Sequence, residues 1–337
     1  MHYISMTLPF LLLIIITIDS AAQSFKKNDY AQIVRQIENK QIIGLGEAEH
    51  FYTGYYQSKV ELIKHLVTDN AIDAIALEGS ISAVALLNDY IHGAPLSDLP
   101  QALNRLNEPY HLQKAGLFNC AEIAEMIDWL KAHNEKQTKK VDLIGIDFQN
   151  YSLPLNQLMP FASESQRGQL QETKNLLDSS MYTILDSGIM VVTSPEWLSR
   201  FQKAQRHVSE LKTTLGNGKN EPLFRELEQF TTVWDDPMFP RDSMMYENLT
   251  KHTNTKARIL IWAHNFHLEY DPLFKGPKKL GVFLKENFGP DYWFIAVSDE
   301  TKKKKSKIIY PSAADIPRKY DLLLNVDKEE KCDLLVN

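Results

Sequence analysis

Short, almost unbroken apolar runs alternate along this chain with longer stretches in which apolar residues recur every three or four positions. The runs at 41–46 (QIIGLG), 71–77 (AIDAIAL), 141–146 (VDLIGI), 258–263 (RILIWA) and 292–297 (YWFIAV) read as strands. Polar residues do not alternate through them, so both faces of each strand are buried. That pattern predicts an α/β fold with a largely parallel central sheet flanked by crossover helices. Between the runs, 55–68 carries Val60, Ile63 and Leu66 on one stripe, 121–133 carries Ile123, Ile127 and Leu130, and a further helix begins near Lys279. Over about 152–235 no strand run occurs, and Leu-rich helical spacing is broken only at Gly216-Asn217-Gly218. This stretch is expected to be a helical insertion in a single domain spanning 23–337.

The first 22 residues fall outside this pattern. An apolar run at 9–18 is followed by Asp19 and the small residues Ser20-Ala21-Ala22, which fits a signal peptide removed after Ala22 even though no Lys or Arg precedes the run. The run is too short to span a bilayer comfortably, so a secreted or periplasmic protein with no stable membrane anchor after cleavage is expected. Of the 337 residues 44% are hydrophobic and 24% charged, a composition that supports an ordinary folded core. Lys+Arg 37 against Asp+Glu 43 leaves no basic surface to draw nucleic acid or an anionic membrane. The lysine run at 302–305 reads as a solvated turn, and the chain is expected to be a monomer. Cys120 and Cys332 have no nearby cysteine partner in sequence and read as free thiols.

Candidate chemistry emerges at the carboxyl ends of the strands, where open α/β sheets bind their ligands. The first strand is followed by Glu47-Ala48-Glu49-His50, the second by Glu78, the third by Asp147 and the fourth by His264-Asn265-Phe266-His267. Each strand thus delivers a titratable group to one edge. Such a set suits activation of water by a general base, or the holding of a metal. Taken singly, Glu47 or Glu49 could cap the next helix, Glu78 could pair with Lys59, and His264 and His267 could be one core and one exposed imidazole. The histidines at 65, 92, 111, 133, 207 and 252 lack such context and read as structural. A Gly-x-Ser-x-Gly elbow, a complete GxGxxG, a P-loop and His-Glu-x-x-His are all absent, and no cofactor is expected.

These strand-end residues resemble a known family, the erythromycin esterases and their esterase-like relatives. The resemblance rests on Gly46-Glu47-Ala48-Glu49-His50, Ala76-Leu77-Glu78, Gly145-Ile146-Asp147, the segment 241–248 (RDSMMYEN), the segment 262–267 (WAHNFH) and Leu280-Gly281-Val282-Phe283-Leu284. The order holds from Gln41 to Val297. The resemblance implies that Glu47, His50, Glu78, His264 and His267 line a hydrolytic site faced by Arg241, with Lys59 and Asp147 on the substrate side. It implies cleavage of a small-molecule ester or lactone by activated water, without a covalent serine intermediate; in the resistance enzymes the ester is a macrolide lactone. His50 or His264 would be the base, oriented by Glu78 or Glu47, with the other histidines and Arg241 stabilising the oxyanion. This chain departs from the family where Glu49 replaces the usual Thr, Lys59 the usual Arg, and Phe51-Tyr52 a small Gly-Thr step. A metal hydrolase using the same cluster as ligands, and a binding protein without turnover, are the alternative readings.

Overall fold

A computed structural model describes residues 27–107, 116–187, 195–233, 240–253, 256–271, 275–299, 308–309, 319–327 and 329–335. The expected signal peptide, the lysine run at 302–305 and His111 lie outside the described residues. In chain order the elements are α1 (Lys27–Ile37), β1 (Ile42–Glu47), α2 (Thr53–Thr68), β2 (Ala74–Ser80), α3 (Ile81–Ile91), α4 (Leu99–Asn104), α5 (Ala121–Asn134) and β3 (Asp142–Asp147). There follow α6 (Ser152–Leu158), α7 (Glu164–Ser187), α8 (Pro195–Leu215), α9 (Glu221–Val233), α10 (Arg241–Thr250), β4 (Ile259–His264), α11 (Asn265–Leu268), α12 (Leu280–Phe288), β5 (Tyr292–Ser298), β6 (Ile308–Ile309) and β7 (Leu322–Asn325).

The sheet runs β3-β2-β4-β1-β5-β7-β6. Every pairing is parallel except β6 with β7 at the edge. The α/β fold and its parallel sheet are therefore as the apolar runs predict, but the strands do not stop at the fifth. Leu322-Leu323-Leu324 lacks the β-branched residues that mark a strand by composition, and its place beside β5 decides its conformation. Alternate strand residues feed two cores. Ile43, Leu45, Ile75, Leu77, Leu260 and Trp262 pack under α1 to α5 on one face, whereas Ile42, Ala74, Ala76, Ile144, Ile259 and Ile261 pack against Met245 and Leu249 of α10 and Leu280 and Leu284 of α12 on the other. Burial on both faces explains why these strands read as continuous apolar runs.

The helices α6 to α9 build a core of their own around Trp197, Phe201, Phe224 and Phe230. Glu226 of α9 ties it to the sheet domain: its fully buried carboxylate accepts the Ser82 N–H, at 2.7 Å, in the first turn of α3. Burial pushes this carboxyl up to about 8, against the hydrogen bonds from the start of α3. A group protonated in the folded state but ionised in the unfolded chain weakens folding as pH rises between its two values. Glu226→Gln, neutral at every pH, should therefore melt above the parent at pH 8 and close to it near pH 5, as thermal unfolding at the two values would show.

The cysteines are not free thiols. Cys120, at the start of α5, and Cys332 form a disulfide with their Cα atoms 5.9 Å apart. The bond joins residues 212 apart in sequence, a pairing that spacing alone does not reveal. It fastens residues 330–335, which run antiparallel past Tyr52 and Cys120 through the pairs Tyr52–Lys331 and Cys120–Leu334.

Candidate active site

The parallel register brings the strand ends together. Glu47 lies opposite His264, and β2 carries Glu78 beyond Leu77, which pairs with Trp262 on one side and Gly145 on the other. Gly46 is required here, because a Cβ at this position would collide with Asn265. Asn265 in turn donates its side-chain amide to Val297 O at 3.1 Å and so anchors the turn that carries His264 and His267.

Glu47 does not cap α2. Its buried carboxylate is shared between His50 Nδ1, 3.0 Å from Oε1, and Lys59, which reaches Oε2 from α2. Lys59 is wholly buried and lies 4.2 Å from the centroid of the Trp262 ring, so it sits behind Glu47. Glu78 is thus not its partner. Burial opposes ionisation of Glu47, but Lys59 and then His50 outweigh it and hold the carboxyl below its usual range. Burial also pulls the Lys59 ammonium down to about 8, against the attraction of Glu47 and Glu78. For His50, burial disfavours the charged ring, yet the Glu47 hydrogen bond and the charges of Glu47 and Glu78 prevail over burial and Lys59 and raise the imidazole above its ordinary value. The residue after it, Phe51, has φ +68°. For an aromatic side chain this left-handed geometry costs on the order of 1 kcal/mol and must be held by neighbours.

A second network surrounds Arg241 at the start of α10. Its guanidinium donates to both oxygens of the fully buried Asp147, at 3.3 and 2.6 Å, and to Glu78 Oε1 at 2.8 Å. Glu78 Oε2 accepts the His264 N–H at 2.8 Å. Burial opposes ionisation of Glu78, but His267, Arg241, His50 and the His264 N–H together hold its carboxyl far below the usual range. Asp147 therefore positions Arg241 from beneath. His267 presents Nε2 to Arg241 Nη1 at 3.2 Å and to Glu78 Oε1 at 3.4 Å, while its Nδ1 lies 2.9 Å from Asp242 Oδ1. Asp242 is fixed by the Leu280 N–H at 2.8 Å. Asp242 stands beside Arg241 in the first turn of α10, on a helix and not at a strand end, so the strand-end pattern does not point to it.

The three histidines are thereby distinguished. His264 Nδ1 accepts from the Phe266 N–H at 3.0 Å, so its Nε2 carries the proton and donates to Ala48 O at 2.8 Å. Burial, then the neighbouring His50, lower its pKa, which fits a neutral ring. Both nitrogens of His267 face protein groups. His50, with its ring centroid 4.8 Å from that of His264, uses only Nδ1, and its Nε2 has no protein partner among the described residues. Its side chain keeps 25% of its surface open. Among the described residues, no three of these His and Glu ligand atoms lie close enough to share one ion, and the group that does, Cys120, Glu122 and Cys332, contains the disulfide.

At the Arg241 end of this cluster opens a cleft of ≈ 540 Å³, lined by Arg241, Asp242, Ser243, His267, Lys278 and Lys279 together with Pro240, Phe266, Pro277 and Phe283; His50 lies outside this lining. Phe266 remains 45% exposed, an unusual state for a large aromatic residue. Apolar side chains set beside fixed polar groups are the usual elements of a small-molecule site.

Comparison with known proteins gives the chain its family. The chain is 24% identical over 295 residues to the erythromycin esterase type I of Escherichia coli, covering 74% of this chain and 67% of that one. It is 18% identical over 312 residues to the type II enzyme of the same organism, covering 80% and 72%. Among solved structures, an erythromycin esterase mutant, EreC, in its open conformation is similar with a TM-score of 0.57 at 18% identity, covering 90% of this chain and 80% of that one. A protein described as a succinoglycan biosynthesis protein shares the fold with a TM-score of 0.59 at 22% identity, covering 81% and 70%. The family profile described as Erythromycin esterase matches residues 67–306, and the chain belongs to the erythromycin esterase family.

Proposed function

We propose that this protein is an extracytoplasmic hydrolase that cleaves the ester or lactone bond of a small molecule, using water activated by His50 and no covalent serine intermediate. The observation that carries this reading is the open Nε2 of His50, whose Nδ1 is held by Glu47 while His264 spends both nitrogens on the backbone. A carboxylate on Nδ1 fixes the tautomer that leaves Nε2 as the acceptor for a water proton. Arg241, on the wall of the cleft, would receive the charge that develops on the carbonyl oxygen, with His267 holding the guanidinium in place. Lys59 and Asp147 would serve from behind, by charging Glu47 and aiming Arg241 respectively. Export is supported by the leader pattern at 1–22 and by the Cys120–Cys332 disulfide, since such bonds persist in oxidising compartments. N-terminal sequencing of the exported protein should begin at Gln23; a start at Met1 would remove that part of the reading.

A panel of esters and lactones, macrolides included, tests the activity, with Phe266→Ala as the probe of the cleft. The backbone N–H that holds His264 survives this change. For a substrate with an apolar body, loss of the exposed ring should raise KM about tenfold with a smaller change in kcat, as expected for removing roughly 1.5 kcal/mol of apolar contact. An unchanged KM across every cleaved substrate would place the binding surface elsewhere.

A further inference from the structure

We infer that residues 330–335 form a strap that positions His50 for the hydrolytic reading given above, on which this inference rests. The turn from His50 to Thr53 is held from two sides. The strap gives and takes backbone hydrogen bonds with it: Thr53 N–H donates to Glu330 O at 3.1 Å and Cys332 N–H donates to Phe51 O at 2.8 Å. Lys331 lies over the Phe51 and Tyr52 rings, 5.7 and 4.4 Å from their centroids. From the opposite side the Tyr56 hydroxyl accepts the Phe51 N–H at 3.2 Å and donates to Leu117 O at 2.9 Å. The two sides are joined to each other, covalently through Cys120–Cys332 and by Leu335 N–H to Asn119 O at 3.4 Å.

The left-handed φ of Phe51 shows what this enclosure does. A phenylalanine does not choose that conformation by itself, and both of its backbone polar groups are engaged by neighbours that enforce it. If Phe51 relaxed, the chain direction at His50 would change, and with it the approach of the imidazole to Glu47. The charged groups that face His50 are Glu47 on its own turn, Lys59 from α2 and Glu78 from β2, with the neutral His264 ring beside it. Glu330, Lys331 and Asp333 are the strap's own charges. Glu47 supplies the largest opposition to burial, so the titration of His50 reports how well the turn is held.

Two variants of the mature chain test the strap. Thr53→Pro deletes one hydrogen bond to it; proline is well accommodated at the first position of a helix, and Tyr52 already has the extended angles, φ −105° and ψ 123°, that a following proline requires. Cys120→Ser combined with Cys332→Ser removes the covalent tie. Both should retain the parent near-ultraviolet circular dichroism. In the double serine variant kcat should fall about tenfold with KM within about twofold, the signature of a displaced catalytic group, and Thr53→Pro should shift in the same direction by less. The NMR titration midpoint of the His50 ring should fall towards the ordinary imidazole value in each. Adding Phe51→Gly to the double serine variant should restore part of kcat, because glycine holds a positive φ without help. A strap that merely packs predicts further loss from that change.

Folded Thr53→Pro protein with the parent kcat and the parent His50 titration would overturn the inference, even if the serine variant failed to fold. If no form turned over any ester while the His50 titration still moved, the hydrolytic reading would fall and the hold of the strap on His50 would stand.

Discussion

His50→Ala is expected to lower kcat by about 10²-fold or more, the range for loss of a general base, while changing stability by less than about 1 kcal/mol. The small stability effect follows from the site: Glu47 keeps Lys59 as its partner, and the His50 side chain is already partly open. The parent should show kcat/KM rising with pH through a midpoint above the ordinary imidazole value, because the base must be neutral and its neighbours favour the charged ring. That limb should be missing from the residual activity of His50→Ala. The sign for stability is the reverse. A pKa raised by folding stabilises the protein below the unfolded value near 6.5 and ceases to do so as pH rises through the folded one. His50→Ala should accordingly be further below the parent in melting temperature at pH 5 than at pH 9. Near-parental turnover on every cleaved ester would assign His50 a structural role.

Arg241→Met is expected to be the most destabilising of the site variants. The guanidinium compensates two buried carboxylates, and breaking a buried pair by removing one partner costs about 3–5 kcal/mol. Its pH dependence is diagnostic. With Arg241 present, Glu78 is held below its unfolded value, so it adds stability above that value and loses it only as pH falls through the low folded one. With Arg241 replaced, burial would raise the carboxyl of Glu78, and the variant should become more stable, relative to the parent, as pH is lowered from 8 to 5. Chemical denaturation at the two pH values would measure this, and an equal loss at both would mean that the carboxylates find other partners. Glu78→Gln is a harsher change than its shape implies. The carboxylate accepts from Arg241 on one oxygen and from the His264 N–H on the other, and an amide can accept on only one side.

Much of this site is legible in the sequence because buried parallel strands leave no reason to end in a carboxylate or an imidazole unless the edge is used. Glu47, Glu78, Asp147 and His264 follow from that rule, and the structure brings them to one edge. What the rule cannot give is direction. Lys59 carries no mark of burial in a helix whose apolar stripe runs beside it, so its pairing with Glu47 rather than Glu78 depends on the packing of α2 over Trp262. The division of labour between His50 and His264 rests on two backbone groups, Ala48 O and Phe266 N–H, and every residue type offers those. Asp242 acts across a contact between α10 and α12, far from any strand end. The disulfide and β7 are long-range facts of the same kind, decided by where the chain returns.

Cys332 follows β7, the last strand in chain order among the described residues, whereas Cys120 precedes β3. The cross-link spans a sequence separation of 212 that contains β3 to β7, and its closure removes chain entropy worth on the order of 5 kcal/mol from the unfolded state. Before this thiol pair is oxidised, the His50 turn has only its hydrogen bonds to the strap and to Tyr56 to hold it. On the inference that the strap positions His50, oxidation of this thiol pair is one of the steps that completes the site, so a chain kept reduced should gain its sheet before its full activity.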